Sequence, residues 1–343
     1  MIVEFVLLLF LIAVCIYENK SNHWLVCIIA LILILNAGLR TSGADYEHYL
    51  DMFKHPDYFS DGVEYSYVFL SKRMHTFTEL LLLYAAIAVS VKIYVIQRNA
   101  LLPNLSILIY YTHFYFLHEM VQSRAGVASG FMFLMLFFVI KKMHMSAFVC
   151  YLLSVFFHYS FFFSGFIFLL STKKVYVKIY SLLFLIAILK YVLDISLIEI
   201  LLGITSGPLN QRLGAYQFVS SQGAYSEIKI INTIFFVQIF ILCVVLIMIV
   251  KKRHLLSRFQ IYFIRRNKRL LILCTNIYFL GLIIYLFLAE IPAMAFRLSE
   301  ICFAVEIFLI PYFYYLFKDK FVGKIVLSTY SALIFVLYQV ILT

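Results

Sequence analysis

The stretch INTIFFVQIFILCVVLIMIV (Ile231–Val250), followed directly by KKRHLLSRFQIYFIRRNKR (Lys251–Arg269), decides the fold. The first segment is 20 residues long and almost wholly apolar, which is the length that crosses the hydrocarbon core of a bilayer. The second segment carries eight lysines and arginines, and such residues concentrate in the cytoplasmic loops of membrane proteins. The sequence therefore predicts a membrane-spanning helix that ends at a basic cytoplasmic loop, residues 251–269.

The composition of the whole chain extends this prediction to the rest of the protein. Of 343 residues, 64% are hydrophobic and 13% are charged, whereas about 25% are charged in soluble domains. A mean hydropathy of +0.99 excludes a soluble globular protein, and 12 glycines with 5 prolines exclude collagen-like and disordered classes. The net charge of +11 is explained by basic cytoplasmic loops, so we expect no nucleic-acid partner.

Hydropathy predicts an all-α polytopic membrane protein with about twelve transmembrane helices. The predicted helices are Ile2–Tyr17, Trp24–Leu39, Thr76–Ile96, Pro103–His118, Val121–Ile140, Met145–Phe157, Tyr159–Ser171, Val175–Leu193, Ile231–Val250, Leu270–Ala289, Ala295–Phe317 and Lys324–Leu342. The chain is then one integral membrane domain, residues 1–343, with both termini facing outward. Lysines within the predicted spans, Lys92 and Lys190, are interpreted as snorkelling toward an interface.

The short basic clusters of the other loops fall on one side of the membrane when these helices alternate. Two predicted helices that flank His158 are short, because about thirteen residues make a helix of only about 20 Å. We expect the turn at His158 to lie below the outer surface, within protein that satisfies its backbone groups. A single long helix through His158 and Ser160 is the alternative, and it would move the upstream basic loops to the opposite side.

Two outward segments, residues 40–75 and 194–230, are too long to be simple turns. Long ordered loops in compact proteins are commonly lids or binding loops. Aromatic residues in them can rest at the membrane interface, but sugars also stack on such rings and bind to carboxylates and phenols. The candidate glycan-binding residues are Tyr46, Tyr49, Glu64 and Glu300. For Glu64, the favoured interpretation is an N-cap of the helix that follows it.

Four arginines lie on the predicted outward side, where the distribution of basic residues predicts few: Arg40, Arg124, Arg212 and Arg297. An arginine at membrane depth costs about 2.5 to 3.5 kcal/mol on insertion scales, so it is usually paired or functional. Snorkelling or pairing, such as Arg297 with Glu300 or Arg40 with Asp45, is the structural interpretation. Because guanidinium groups bind phosphate oxygens through paired charged hydrogen bonds, the set of four favours a diphosphate on the outward side as ligand.

Several short motifs recur in a recognisable order along most of the chain. They are RTSGADY at residues 40–46 with Tyr49, Glu64-Tyr65, QSRAG at residues 122–126, His158-Tyr-Ser160 and Arg297. In this order they resemble the EpsG-like group of bacterial polysaccharide polymerases, which are related in role to Wzy O-antigen polymerases. The resemblance implies a GT-C-like, multipass glycosyltransferase of the inner membrane. It also implies that undecaprenyl-diphosphate-linked oligosaccharide repeats are joined at the periplasmic face, with a chain-length regulator and a flippase as further partners.

The chemistry of such a polymerase assigns the arginines to the leaving group. An acceptor hydroxyl attacks the anomeric carbon, and negative charge develops on the departing diphosphate. We expect Arg124, Arg212 and Arg297 to bind the diphosphates of the donor and acceptor lipids. Arg40 either joins them or orients Asp45.

The same reaction needs a base that accepts the proton of the acceptor hydroxyl. His158 and Asp45 are the two candidates, and the imidazole of a histidine ordinarily takes up a proton near neutral pH. A hydrogen-bonded turn residue is the alternative interpretation of His158. A turn or cap residue beside Gly43 is the alternative for Asp45.

No motif predicts a metal site or a cofactor. The six cysteines form no CxxC pair and no cluster with histidine at ligand spacing. Strings of the GxGxxG, GxxxxGK and HExxH types do not occur either. His113 and His118, in an aromatic segment, are interpreted as packing or hydrogen-bonding residues.

Two other functions stay open from the sequence. A lipid-linked oligosaccharide flippase would place cations along the middle of several helices, whereas the four arginines gather at one edge. An O-antigen ligase or a membrane acyltransferase would share the outward pocket and differ in its acceptor.

Overall fold

The computed structural model describes residues 2–17, 22–59, 62–196, 230–250 and 267–342, with single positions 199, 203 and 214. Every regular element within these residues is helical, and no β-strand occurs among them. The first of two compact units comprises Met1–Leu169, Lys252–Leu271 and Glu306–Thr343, and the second comprises Leu170–Lys251 and Ile272–Val305. Arg212, most of the loop at 194–230 and most of the basic loop at 251–269 lie outside the described residues.

The described α-helices, in chain order, are α1 (Ile2–Tyr17), α2 (His23–Gly38), α3 (Tyr46–Lys54), α4 (Tyr65–Ser71), α5 (Phe77–Asn99), α6 (Pro103–Ile109), α7 (Ser123–Ile140), α8 (His144–Phe157), α9 (Val177–Val192), α10 (Thr233–Val250), α11 (Lys268–Phe287), α12 (Pro292–Phe303), α13 (Glu306–Leu309) and α14 (Lys320–Leu342). A π-helical segment, Tyr110–Val121, joins α6 to α7. Two 3₁₀ helices, Tyr159–Leu169 and Ile310–Leu316, follow α8 and α13.

Four of these helices are long and apolar enough to cross a membrane: α5, α7, α11 and, within α14, Lys320–Leu337. Shorter apolar helices, including α1, α2 and α8, accompany them. Within the described residues, an all-helical fold with helices able to span a membrane is therefore confirmed. The count of twelve spans and the GT-C-like arrangement remain predictions.

The chain breaks at His158 as the sequence predicted. Helix α8 ends at Phe157, and His158 has extended backbone with φ −156° and ψ 117°. The 3₁₀ helix begins at Tyr159. The alternative of a single long helix through His158 and Ser160 is therefore wrong.

The helix predicted over Ala295–Phe317 is also wrong. Helix α12 ends at Phe303, and the chain resumes as the short α13 and then as a 3₁₀ helix from Ile310. Pro311 lies in the first turn of that 3₁₀ helix. Because proline lacks an N–H and clashes with the preceding turn, a continuous α-helix cannot run through this position without a break or kink.

The two lysines within predicted spans do not snorkel. Lys92 on α5 is fully buried and forms an ion pair with Glu119. Lys190 on α9 is also buried, with its Nζ 3.1 Å from Oε1 of Glu290. Each ammonium group therefore has a carboxylate partner inside the protein, so it has no need to reach an interface.

Several helices of the first unit pack side by side. Helix α5 packs against α2 and α7, and α7 packs against α8. At one end, Nδ2 of Asn267 donates to the carbonyl of Asn99 at 3.5 Å, and Arg269 donates to the carbonyl of Ile140 at 3.4 Å. These are ends that the basic residues predict to be cytoplasmic.

At the N-terminal end of α7, the preceding π-helical segment packs closely against the first turns of α7. The N–H of Gln122 donates to the carbonyl of Leu117, five residues earlier, at 2.8 Å. Gly126 lies so close that a Cβ there would be 2.7 Å from the carbonyl oxygen of His118. A glycine is therefore required for this approach, and π-helical turns often accompany functional sites.

We expect Gly126→Ala to destabilise the protein by about 1 to 3 kcal/mol, because its methyl group meets backbone that cannot easily yield. Gly130→Ala, one turn later on α7, is the control, since a Cβ there would lie 3.5 Å from the nearest atom, the carbonyl oxygen of Ala88. Thermal unfolding of both variants in detergent measures the difference. Equal midpoints for the two variants would contradict the close approach at Gly126.

Candidate active site

The Glu64 carboxylate is the centre of a buried polar group in the first unit. Although Glu64 occupies the N-cap position of α4, its side chain makes no capping hydrogen bond, so the cap interpretation is wrong. Its Oε1 lies 2.5 Å from Nδ1 of His158 and accepts the N–H of Tyr159 at 3.2 Å. Its Oε2 accepts a hydrogen bond from Nη1 of Arg124. Three parts of the chain therefore meet at one carboxylate.

Burial raises the pKa of the Glu64 carboxyl, but the hydrogen bond with His158 and the charge of Arg124 outweigh it and lower this pKa to about 2. The group is therefore an ionised acceptor at neutral pH, so Nδ1 of His158 carries the proton that they share. The Nε2 atom of a neutral His158 is then unprotonated. A carboxylate that fixes the histidine tautomer in this way prepares the other nitrogen to act as a base.

Arg124 lies in the first turn of α7, and two tyrosines lie next to its guanidinium group. Its Nε donates to the hydroxyl of Tyr49 at 3.3 Å. Its guanidinium carbon is 5.0 Å from the ring centroid of Tyr49 and 5.5 Å from that of Tyr67, within range of cation–π attraction. The hydroxyl of Tyr67 donates to the carbonyl of Tyr49 at 2.6 Å and so ties α3 to α4. No hydrogen bond joins Nη2 of Arg124 to another described residue.

Arg40, just after α2, is 8% exposed. Its Nη1 donates to the carbonyl of Ala37 at 3.2 Å and to the carbonyl of Glu119 at 2.5 Å. Its Nε and Nη2 are buried and have no hydrogen-bond partner among the described residues. No hydrogen bond or ion pair among the described residues joins its side chain to Asp45. A buried guanidinium with two unused donors is suited to an anionic ligand.

A second polar cluster lies deeper in the same unit, and sequence reasoning missed it. Lys92 on α5 pairs with Glu119 at the end of the π-helical segment, and both side chains are fully buried. Nδ1 of the neighbouring His118 is 3.5 Å from the Lys92 Nζ and 3.3 Å from Oγ of Ser129 on α7. A lysine inside an apolar span is itself the signal, because it requires an acidic or polar partner in the protein.

The other candidates of the first loop lie beside this site. The carbonyl of Asp45 accepts the N–H of Tyr49 at 3.0 Å, and no hydrogen bond or ion pair among the described residues joins the Asp45 side chain to His158 or Glu64. The ring of Tyr46 packs against that of Phe77 with centroids 5.2 Å apart. Of the two predicted bases, only His158 therefore belongs to the hydrogen-bonded group.

The candidates near the C-terminus lie in the second unit. Arg297 is exposed on α12, and no hydrogen bond joins it to another described residue. Glu300, one turn later, is partly buried. With Arg212 outside the described residues, convergence of all four arginines stays a prediction.

Two further observations concern possible metal ligands and the histidine His113. Within the described part of the chain, no three histidine, cysteine or acidic residues form a group that could hold a metal ion. His113 does not merely pack, since its Nδ1 lies 3.0 Å from Oε2 of Glu306 in a buried pair.

The low pKa of Glu64 makes stability depend on pH in a definite direction. Folding lowers the pKa of the Glu64 carboxyl from 4.5 to about 2, so the ionised carboxylate stabilises the folded state at any pH above 4.5. This contribution is lost as the pH falls from 4.5 toward 2. This pKa shift corresponds to a contribution of roughly 3 kcal/mol to the free energy of unfolding. We expect the thermal midpoint of the wild type to fall more steeply between pH 5.5 and 2.5 than that of Glu64→Gln. Parallel curves would show that the carboxylate is not held by these partners.

The comparisons with known proteins agree with the resemblance drawn from the motifs. The model of the EpsG family matches residues 23–343, which is nearly the whole chain. No curated protein and no solved structure matches. On the extent of the family match, the chain belongs to the EpsG family.

Proposed function

We propose that this membrane protein is a polysaccharide polymerase that joins undecaprenyl-diphosphate-linked oligosaccharide repeats. The family and the membrane-spanning helices support a membrane role in polysaccharide biosynthesis. The observation that carries the finer proposal is the contact of Glu64 with both His158 and Arg124. Through Glu64, a residue that can act as a base, His158, lies close to a residue that can bind phosphate, Arg124. The basic loops predict that this side of the inner membrane is the periplasmic one.

In the proposed reaction His158 is the base. Its Nε2 accepts the proton of the acceptor hydroxyl while the oxygen bonds to the anomeric carbon of the donor glycan. Glu64 stabilises the imidazolium that forms, because its carboxylate already holds Nδ1. Asp45 is the second candidate for this role.

Arg124 stabilises the departing lipid diphosphate. Its Nη1 and Nε are used by Glu64 and Tyr49, which leaves Nη2 to bind a phosphate oxygen. Preorganised donors in a dry site act most strongly on charge that develops during the reaction, and they need no metal. Arg40, with two unused buried donors, is proposed to bind the same diphosphate.

The remaining assignments complete the proposal. Residues proposed to bind the second diphosphate are Arg212 and Arg297. Residues proposed to bind the glycan are Tyr46, Tyr49, Glu64 and Glu300. The proposal includes twelve helices in a GT-C-like arrangement, and a chain-length regulator and a flippase as protein partners.

Replacing the base should remove catalysis and leave the protein in the membrane. We expect His158→Ala to slow polymer formation about 10²- to 10⁴-fold, the usual contribution of a general base. His55→Ala is the matched control, because His55 is exposed at the end of α3. Gel analysis of surface polysaccharide from a complemented deletion strain, with protein levels measured by immunoblot, gives the result. Long polymer at normal yield from His158→Ala would exclude this base.

Replacing the phosphate-binding cation should stop polymer at a defined step. We expect Arg124→Ala to accumulate single repeats, with little long polymer. Arg73→Ala is the control, because Arg73 is an exposed arginine whose guanidinium packs over the Phe69 ring. The same gel separates the alternatives: a strain without a flippase lacks the surface product altogether, and a strain without a ligase keeps long polymer on its lipid carrier. Either pattern in the deletion strain would count against a polymerase.

A further inference from the structure

We infer that Lys92 is a positioning residue that holds the Glu119 carboxylate away from Arg40 and thereby keeps Arg40 able to bind a phosphate group. The inference rests on the proposed function, since the phosphate is taken to belong to a lipid diphosphate. It gives a role to a fully buried ion pair that the reaction itself does not use.

The first step of the argument is that Arg40 and Glu119 are neighbours without forming an ion pair. Nη1 of Arg40 is bonded to the backbone carbonyl of Glu119 at 2.5 Å. The carboxylate of the same residue is directed to Lys92 on α5 instead. Nε and Nη2 of Arg40 meanwhile remain buried without a hydrogen-bond partner among the described residues.

The second step is that this arrangement depends on Lys92. A buried carboxylate must be paired, and a guanidinium is its best partner because the two form parallel hydrogen bonds. If Lys92 were neutral, Arg40 would be available as the partner cation, because it already contacts the backbone of Glu119. The carboxylate would then occupy the donors that a phosphate needs.

The third step concerns the charge of the site. Lys92 and Glu119 neutralise each other, so the charge of Arg40 is left for a ligand. His118 and Ser129 flank this pair, with the imidazole 3.5 Å from the Lys92 Nζ. The ammonium group is therefore held in place on more than one side, and Glu119 has a fixed partner.

This mechanism predicts that replacing Lys92 and replacing Glu119 have different effects on diphosphate binding. Lys92→Met should weaken diphosphate binding, because Glu119 then turns to Arg40. Glu119→Gln should leave binding intact or tighten it, because no carboxylate competes. The double variant Lys92→Met/Glu119→Gln should bind like the wild type. A pair that only supports the fold would instead give losses in both single variants.

The experiment measures undecaprenyl diphosphate binding to the full-length protein in phosphatidylcholine nanodiscs. We expect Lys92→Met to raise Kd about tenfold to a hundredfold, the range for losing hydrogen bonds to a charged group. Lys92→Arg keeps the cation and should keep the wild-type Kd. In an Arg40→Met background, the effect of Lys92→Met should disappear, since the two act through one guanidinium.

Failure of this inference and failure of the proposed function are distinguishable. If Arg40→Met and Arg124→Ala both leave the diphosphate Kd unchanged, the proposed function is wrong. If those variants weaken binding but Glu119→Gln weakens it as well, or the double variant does not recover, the positioning role of Lys92 is wrong. Should Lys92→Met fail to fold, the double variant still tests the inference, because its neutral pair leaves no buried charge unpaired. Weakened diphosphate binding by a folded double variant would then show that Lys92 does not act by holding the Glu119 carboxylate.

Discussion

A carboxylate buried in a largely apolar body must be fully paired, and at Glu64 two other segments of the chain meet this requirement. The helix α7 supplies Arg124, and the break after α8 supplies His158 and the Tyr159 N–H. Loss of any partner would leave a charge in a nearly dry environment. The carboxylate therefore fixes the first long loop, residues 40–75, against the ends of two helices, and the rest of the candidate site is built around that junction.

The irregular helices of the first unit serve the same requirement. A regular helix satisfies its own backbone and offers few polar groups, whereas a break exposes N–H groups that can bind a carboxylate. Such a break presents the N–H of Tyr159 to Glu64. The end of the π-helical segment likewise presents the carbonyl of Glu119 to Arg40. Polar chemistry thus gathers where the regular helices of this membrane protein stop.

The sequence predicted spans and breaks better than it predicted partners. The predicted helix Thr76–Ile96 corresponds to α5, and the turn at His158 lies where the shortness of its neighbours indicated. These features follow from local composition. The pairing of Lys92 with Glu119 does not, because it depends on which helices pack together. For the same reason the motifs indicated Arg124, His158 and Glu64 as candidate site residues but did not indicate that Glu64 joins the other two, and a helix cap was the favoured interpretation of Glu64.

The two polar clusters of the first unit, around Glu64 and around Lys92, together carry a net charge that suits the proposed reaction. Among their described side chains, three cations (Arg40, Lys92 and Arg124) face two carboxylates (Glu64 and Glu119), so the clusters have a surplus positive charge before any ligand binds. In the proposed step, His158 gains a proton at the moment when the lipid diphosphate gains negative charge. The protein therefore becomes more positive as its ligand becomes more negative, and both changes occur beside Arg124. Stabilisation of this kind is greatest in the transition state, which is the condition for lowering a barrier instead of merely binding the substrate.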